Sequence, residues 1–377
     1  MRICYLADGR YIHAQRWMSF FKNQGHEMHL VSFAPMEPEH VRAVEDVGAI
    51  YHGQIGGFHL KRFWLTLRDL RWMVRLLRRE KIEILHCHYL SSNAWYAALS
   101  GFRPFIITVM GGGDVRGPGW QPTGARERLL TPFALRRAAL VTSWSKVMAE
   151  AVRPFCRNDA RIEVIHGGID LKRFHPGPKP VYLSEKWQLP PGAKIVFSPR
   201  LMRPLSNITQ IAAAAGRLLE RFPETYFLFA APGEERDEAY ETEVRRVLHE
   251  AGAQGNARFI GPIPHAEMAD YHRLADVTVS IPSTDGTPMT VLESMACGTP
   301  VVVSDIPDYD ASYIEPGQTV LMAQTGDPDS LAKALLSVFE EPELAGRLAA
   351  EAKRRVEAEG SYEAQMSRME QLYRELV

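Results

Sequence analysis

The sequence predicts an α/β protein made of two doubly wound domains, in which parallel strands alternate with helices. Short apolar runs recur along the whole chain with helical patterns between them, which is typical of parallel sheets covered by helices on both faces. The length of 377 residues favours two domains. The alternation breaks once, at 175–180, where three prolines and a glycine in six residues suit a stiff linker.

The predicted strands form two sets, one on either side of that break. The first set lies at 2–7, 28–33, 82–87, 105–109, 139–143 and 162–165. The second set lies at 194–198, 225–230, 275–280 and 299–303. Between strands, helical spacing is clear at 207–221, with Ser206 or Asn207 as the cap.

These patterns place an N-terminal domain at 1–176 and a C-terminal domain at 177–360. We expect the last helix, 361–377, to pack back on the N-terminal domain. Ligands of doubly wound sheets bind at the carboxyl ends of the strands, so two domains facing each other would hold a site in the cleft between them.

The net charge of −1 hides opposite charges on the two halves of the chain. Residues 1–178 contain 25 basic and 15 acidic side chains, a net charge of +10, whereas residues 179–377 contain 19 and 30, a net charge of −11. Such asymmetry indicates that one half faces an anionic surface or ligand, or only that two solvated surfaces differ in composition.

Much of the positive charge lies in residues 59–81, which carry eight basic side chains against two acidic ones, with aromatic and aliphatic residues between them. One interpretation is a helix that lies on an anionic membrane. The other is an ordinary helix whose apolar face enters the core while its arginines face water. No nucleic-acid recognition module is visible and the acidic half would repel nucleic acid, so we expect no such partner.

The cysteines indicate a reducing compartment. Cys4, Cys87, Cys156 and Cys297 are widely spaced and show no metal-binding pattern, so we expect free thiols and no metal site. The N-terminus lacks the apolar core of a signal peptide, and no apolar run reaches the roughly 18 residues of a membrane span. We therefore expect a cytoplasmic protein, with the inner face of the membrane as a further location.

The segment 285–300 is the most informative about chemistry. It follows a predicted strand and opens a helix, with Thr287 as a cap, Pro288 at the first helical position and Gly298 closing the helix. The start of such a helix directs unpaired N–H groups toward a ligand and suits phosphate oxygens. Asp285 and Glu293 bracket this start and could accept hydrogen bonds from sugar hydroxyls; the alternative is a capped helix with two solvated acids.

Two acids eight positions apart, followed by Met-Ala-Cys-Gly-Thr-Pro-Val-Val at 295–302, make this segment resemble the donor-binding signature of retaining glycosyltransferases of family 4, group 1 type. The resemblance implies the GT-B architecture of two Rossmann-like domains and a nucleotide diphosphate sugar as donor. It implies that Glu293 holds the ribose and that Asp285 lies by the transferred sugar. The implied contacts near the sugar or diphosphate are Gly286, Thr287, Pro288, Met289 and Thr290.

Two further matches concern the linker and the diphosphate. Residues 164–170 resemble the segment that leads into the interdomain linker, and Ser-Pro-Arg-Leu at 198–201 resembles the strand end whose arginine contacts the diphosphate. A fixed cation suits that role because phosphate oxygens gain charge as the sugar bond breaks. Arg200 and Asp285 are thus the implied catalytic residues. The family's usual lysine is replaced by Leu205, which leaves Arg203 as the second cation.

The N-terminal matches concern the acceptor side. The loop after the first strand resembles an Ile-His-x-Gln-Arg-Trp opening of one branch of the family, which implies that Gly9 and His13 line the cleft. For His13, packing at the helix start is an equal alternative. Where the family often has histidine, this chain has Met110, followed by further implied acceptor-side residues, Gly111, Gly112 and Asp114.

From the resemblance we expect a hexosyltransferase that needs no metal or other cofactor. It would move a sugar with retention from a nucleotide sugar to a hydroxyl of a saccharide or lipid-linked acceptor, in surface polysaccharide or glycoconjugate assembly. Two alternatives remain open. One is a nucleotide-sugar epimerase of the same fold, and the other is a non-catalytic sugar-nucleotide-binding partner in a glycan-assembly complex, which Met110 and Leu205 would suit.

Overall fold

The computed structural model describes residues 1–56, 62–110, 115, 119–230, 237–285, 288–307 and 309–377, apart from the side chains of Ala43 and Phe63. The chain divides into two compact units, Met1–Gly167 with Glu363–Val377, and Gly168–Tyr362. The first boundary lies nine residues before the predicted one. Residues 168–176 pack with the second unit, because Phe174 lies in its core and the Ile169 N–H donates to the Gly360 carbonyl at 2.7 Å.

The first unit is built on a seven-stranded parallel sheet with the order β3-β2-β1-β4-β5-β6-β7. Its strands are β1 (Arg2–Leu6), β2 (Glu27–Ser32), β3 (Ala49–His52), β4 (Ile84–His88), β5 (Phe105–Val109), β6 (Leu140–Ser143) and β7 (Ile162–Val164). Its helices include α1 (Ile12–Asn23), α2 (Pro38–Glu45), α3 (Phe63–Arg79), α4 (Ser92–Ser100), α5 (Ala125–Arg137) and α6 (Lys146–Val152).

The second unit repeats the plan with a six-stranded parallel sheet of order β10-β9-β8-β11-β12-β13. Its strands are β8 (Lys194–Ser198), β9 (Thr225–Ala230), β10 (Ala257–Gly261), β11 (Val277–Ser280), β12 (Val301–Ser304) and β13 (Leu321–Ala323). Its helices include α7 (Val181–Lys186), α8 (Ile208–Arg221), α9 (Glu238–Glu250), α10 (Met268–Leu274), α11 (Met289–Ala296), α12 (Pro328–Glu340) and α13 (Pro342–Glu359). Strand order reverses between β8 and β11, the position at which such sheets bind ligands.

The two doubly wound parallel sheets predicted from the sequence are confirmed, and each predicted strand is present to within two residues at either end. The prediction missed β3, β10 and β13, which all lie at sheet edges. An edge strand has a neighbour on one side only. Residues of β3 and β10 are half-buried or exposed, so these strands lack the continuous apolar run that marks an interior strand.

The chain's last helix, α14 (Tyr362–Leu376), contributes its residues from Glu363 onward to the first unit. It buries one face through Met366, Met369, Leu372 and Tyr373. The Tyr373 hydroxyl lies 2.7 Å from the Tyr5 hydroxyl and within hydrogen-bonding distance of Nδ1 of His86. A polar network thus ties the end of the chain to strands β1 and β4.

Helix α3 carries the basic segment, of which residues 57–61 lie outside the described part of the chain. Its apolar face enters the core through Met73, Leu76 and Leu77, and its arginines are exposed, as the second interpretation expected. Asp69 is buried, accepts from the Gly56 N–H at 3.0 Å and pairs with Arg68 at 2.7 Å. Within the described residues, no helix has both the length and the apolarity needed to cross a bilayer.

Candidate functional site

The candidate site lies in the second unit, on the two loops that follow the neighbouring strands β8 and β11. Asn207 joins these loops by donating from Nδ2 to the Ile281 carbonyl at 2.9 Å and to Ser283 Oγ at 3.0 Å. The Ser283 N–H donates to the Leu205 carbonyl at 3.0 Å. Asn207 is the N-cap residue of α8 with a left-handed φ of 50°, which asparagine tolerates, but its amide serves the loops rather than capping the helix. The loops therefore hold each other in place.

Arg200 and Asp285, one on each loop, form an ion pair. Nη1 of Arg200 donates to Oδ2 of Asp285 at 2.8 Å, and the two side chains are only 17% and 15% exposed. The family resemblance implied a catalytic role for each residue but did not predict that they pair. Arg203, the expected second cation, is exposed, and Leu205 is 37% exposed at the position where the family's lysine was expected.

Helix α11 begins at Met289, with Pro288 as its N-cap residue, one position from the prediction. Gly298 has φ +75° and ends the helix as expected, because glycine adopts this left-handed conformation without strain. The first N–H groups of the helix lack intrahelical acceptors. Thr290 Oγ1, in the first turn, is buried without a hydrogen-bond partner among the described residues. Gly286 and Thr287, predicted to contact the donor, lie outside that part of the chain.

Glu293 projects from α11 into a buried site lined by two histidines. Its Oε1 lies 3.7 Å from Nε2 of His265, and its Oε2 lies 3.9 Å from Nε2 of His272. Burial raises the pKa of Glu293, but the attraction of the two histidines outweighs it and lowers the pKa to about 2. Glu293 is therefore a carboxylate at neutral pH. It is 6% exposed, so the alternative of a solvated acid is wrong for this residue.

Sequence reasoning missed both histidines. His265 follows the edge strand β10, which was not predicted from the sequence. Had β10 been predicted, His265 would have been placed after the carboxyl end of a strand, where ligands bind. His272 lies on α10 among Ala269, Tyr271 and Leu274, all buried. A histidine at core spacing is usually structural, so nothing in the local pattern connected it with Glu293.

The residues assigned to the acceptor side lie in the first unit. Gly9 is buried, and a Cβ there would come within 2.6 Å of Met36 Sδ, so a larger residue would require the Met36 side chain to move. His13 is half-buried with its ring perpendicular to that of Trp144, at a centroid distance of 4.7 Å. Met110 is buried. Gly111, Gly112 and Asp114 fall outside the described residues. Acceptor contact by these residues stays a prediction.

Two family models match the chain in succession. The model described as Glycosyltransferase Family 4 matches residues 11–173, and the model described as Glycosyl transferases group 1 matches residues 183–355. The first match covers β2 to β7 and the second covers β8 to β13.

The chain is similar to curated glycosyltransferases named as acting on D-inositol 3-phosphate. D-inositol 3-phosphate glycosyltransferase 2 of Catenulispora acidiphila is 27% identical over 69% of this chain and 63% of its own length. The D-inositol 3-phosphate glycosyltransferase of Kribbella flavida is 28% identical over 69% of this chain and 63% of its own length. The chain thus spans less than two-thirds of either relative.

Solved structures resemble the chain over its whole length. Sucrose-phosphate synthase from Thermosynechococcus elongatus has a TM-score of 0.79 at 19% identity, covering 100% of this chain and 99% of its own. A glycosyltransferase from Rickettsia africae has a TM-score of 0.82 at 16% identity, covering 100% and 98%. HepE of Anabaena, crystallised with UDP and glucose, has a TM-score of 0.80 at 15% identity, covering all of both chains. These likenesses show a shared fold.

Proposed function

Because this chain belongs to glycosyltransferase family 4, group 1 type, and has the GT-B fold, we propose that it transfers a hexose from a nucleotide diphosphate sugar to an acceptor hydroxyl. The observation that carries the proposal is the site in the second unit. There, a half-buried guanidinium, a buried carboxylate and a helix N-terminus occur at the carboxyl ends of adjacent strands.

These three groups suit the parts of a nucleotide sugar. The Arg200 guanidinium can bind the diphosphate with charge-assisted hydrogen bonds, and the first amides of α11 can bind phosphate or sugar oxygens. Glu293, ionised and buried, can accept hydrogen bonds from ribose hydroxyls. Arg200 and the α11 amides can thus bind an anion although the unit as a whole is negatively charged.

In the proposed reaction, the bond between the anomeric carbon and the diphosphate oxygen breaks as a bond to the acceptor oxygen forms on the same face. The acceptor proton passes to the departing diphosphate, so no protein carboxylate is needed as the nucleophile. Arg200 stabilises the charge that develops on the leaving group. We propose that this guanidinium and the helix amides act without a divalent cation.

The proposal extends to substrates and location. The Anabaena HepE structures contain UDP or UDP-glucose, which supports uridine diphosphate sugars as the first donors to test. We propose a saccharide or lipid-linked acceptor, in surface polysaccharide or glycoconjugate assembly. We also propose peripheral contact with an anionic membrane on the cytoplasmic side, supported by the exposed arginines of α3 and by Trp64, which is 65% exposed.

The test combines binding and turnover. Calorimetry with the diphosphates of uridine, guanosine and adenosine identifies the base, and the matching nucleotide sugars are then assayed with a panel of acceptors. Arg200→Ala and Glu293→Ala should each weaken diphosphate binding about tenfold or more in a chain that still folds. Arg217→Ala, on an exposed arginine of α8, is the matched control. Unchanged turnover in both site variants would overturn the assignment.

The same assay tests the two alternatives that the sequence left open. Leu205 and Met110 replace residues that the family commonly uses, which favours donor binding without chemistry as the second candidate. A protein that binds the donor but transfers sugar to none of the acceptors would support that candidate. Conversion of the donor to a different nucleotide sugar without acceptor would instead identify an epimerase.

A further inference from the structure

The carboxylate of Glu293 is buried without a hydrogen bond from the described residues. Its two nearest partners are His265 and His272, at 3.7 and 3.9 Å, both too long for a hydrogen bond. Buried ions in proteins normally receive hydrogen bonds, because desolvation is otherwise not offset. Within the described residues, the carboxylate thus has room to accept hydrogen bonds from the hydroxyl groups of a ligand.

His265 presents an N–H toward this carboxylate. Its Nδ1 is in contact with Nη1 of Arg173, and a guanidinium has no acceptor, so Nδ1 must accept and the ring proton must lie on Nε2. Nε2 is the atom that faces Oε1 of Glu293. The His265 side chain is 32% exposed, so a ligand can reach it. Its ring packs edge-on against Phe174, which holds its orientation.

His272 approaches the other carboxylate oxygen from the protein interior. It is fully buried, and its Nε2 has no hydrogen-bond partner among the described residues. Its Nδ1 lies 3.5 Å from Thr278 Oγ1, which accepts a hydrogen bond from Ser294 Oγ at 2.8 Å. The Nδ1 edge of His272 thus faces the Thr278 and Ser294 hydroxyls, and its Nε2 edge faces Glu293.

We propose that His265 is a second residue that contacts the ribose of the donor, and that His272 is a positioning residue for Glu293. A vicinal diol has two O–H donors, one for each oxygen of Glu293, and its oxygens can accept from Nε2–H of His265. His272 is too buried to touch the ligand and instead fixes the charge and direction of the carboxylate. This inference rests on the proposed function, and it names two residues that determine recognition of the sugar of the nucleotide.

The experiment compares a nucleoside diphosphate with its 2′,3′-dideoxy analogue. The probe is whichever of the uridine, guanosine and adenosine diphosphates binds most tightly, measured by calorimetry on the full chain. Wild type should prefer the ribose form by about tenfold or more, because hydrogen bonds to a charged group are lost in the analogue. Glu293→Gln should remove most of that preference.

His265→Phe and His272→Phe keep a ring in place but remove the N–H. Each should reduce the preference for ribose about fivefold or more while leaving affinity for the dideoxy analogue unchanged, whereas a purely structural defect would weaken both ligands alike. His265→Gln and His272→Gln, which keep an N–H near Nε2, should restore much of the preference. His249→Phe, on an exposed histidine of α9, is the control.

The outcomes are distinguishable. An unchanged ribose preference in both Phe variants overturns the inference and leaves the proposed function standing. Equal binding of both ligands by wild type overturns the inference together with the ribose role of Glu293, while sugar transfer itself would stand. If wild type binds no nucleoside diphosphate, the proposed function fails and the inference fails with it. Should His272→Phe not fold, His265→Phe decides the question, because its ring is partly exposed and tolerates exchange.

Discussion

Arg200 is expected to bind the donor diphosphate, yet its guanidinium is already paired with a carboxylate. Asp285 lies 2.8 Å away and belongs to the neighbouring loop, with both side chains largely shielded from water. Shielding strengthens the attraction relative to an exposed pair. Asp285 occupies Nη1 of Arg200, so an incoming diphosphate must use the other N–H groups of the guanidinium or displace the carboxylate. Asp285 also repels the anion.

Asp285→Asn should consequently tighten binding of the free nucleoside diphosphate, by about three- to tenfold if the carboxylate opposes the anion by on the order of 1 kcal/mol. Sugar transfer should fall if Asp285 lies by the transferred sugar. Calorimetry measures the first effect and a transfer assay the second. Asp329→Asn is a suitable control, because Asp329 pairs with Arg217 at 2.6 Å on the exposed surface. Weaker diphosphate binding by Asp285→Asn would show that the pair orients Arg200 rather than competing with the ligand.

Among the elements, α3 combines a structural and a surface role. Its apolar side is buried in the first unit, and this burial stabilises the helix. Arg71, Arg75 and Arg78 are exposed, and their spacing places them on one side of the helix. The buried face therefore does not decide whether the basic face binds a membrane.

Replacing those three arginines by glutamate should lower binding to vesicles of anionic phospholipid at least 100-fold, because each cation near such a surface contributes about 1 kcal/mol. Vesicle sedimentation measures the bound fraction. A triple variant of Arg103, Arg153 and Arg157 to glutamate, all exposed residues of the same unit, matches the change in net charge. If both variants and wild type stay in the supernatant, α3 is a solvated helix face.

Helix α14 packs on the first unit through a buried polar network in addition to its apolar face. Tyr373 connects Tyr5 and His86, and His86 is in turn within hydrogen-bonding distance of Thr108. Burial lowers the pKa of His86 well below its usual value, so the ring is neutral and can both donate and accept. Undocking α14 would remove the Tyr373 hydroxyl from both Tyr5 and His86.

Tyr373→Phe should destabilise the first unit by about 1–3 kcal/mol, since it leaves buried partners of the hydroxyl unsatisfied without changing shape. The thermal midpoint should fall measurably. Tyr182→Phe removes a hydroxyl that donates to Asp270 at 2.7 Å on the exposed surface, and should have little effect. A Tyr373→Phe variant as stable as wild type would mean that water or a rearranged network replaces the hydroxyl.

At the scale of the whole molecule, the two units keep the charge asymmetry found in the sequence. With the structural boundaries, the first unit carries 25 basic and 17 acidic residues, a net charge of +8, and the second carries 19 and 28, a net charge of −9. The proposed anionic donor would thus bind in the negative unit, which makes local groups such as Arg200 and the helix amides necessary.

The two units also differ in whether they are formed by one continuous stretch of chain. Residues 168–362 are contiguous and contain two apolar clusters of their own, on opposite faces of the second sheet. The first unit needs both ends of the chain, because α14 completes it.

A fragment of residues 168–362 should therefore fold alone and bind the nucleoside diphosphate with wild-type affinity. A fragment of residues 1–167 should unfold without cooperativity, and fusing it to residues 363–377 should restore a cooperative transition. Circular dichroism on heating follows folding, and calorimetry follows binding. A stable 1–167 fragment would show that α14 is dispensable, and a folded 168–362 fragment that binds no nucleoside diphosphate would show that the site needs the first unit.

Apolar runs predicted the interior strands correctly, because a parallel sheet is buried on both faces and its strands are therefore mostly apolar along their length. The sequence also placed the start of α11 to within one residue and its end at Gly298, since Pro288 and Gly298 act through their own backbone conformation. The tertiary structure decided the contacts of the site. Arg200 meets Asp285, and Glu293 meets His265 and His272, because strand order brings distant loops and helices together. No local pattern encodes such a pairing, since it depends on which strands become neighbours.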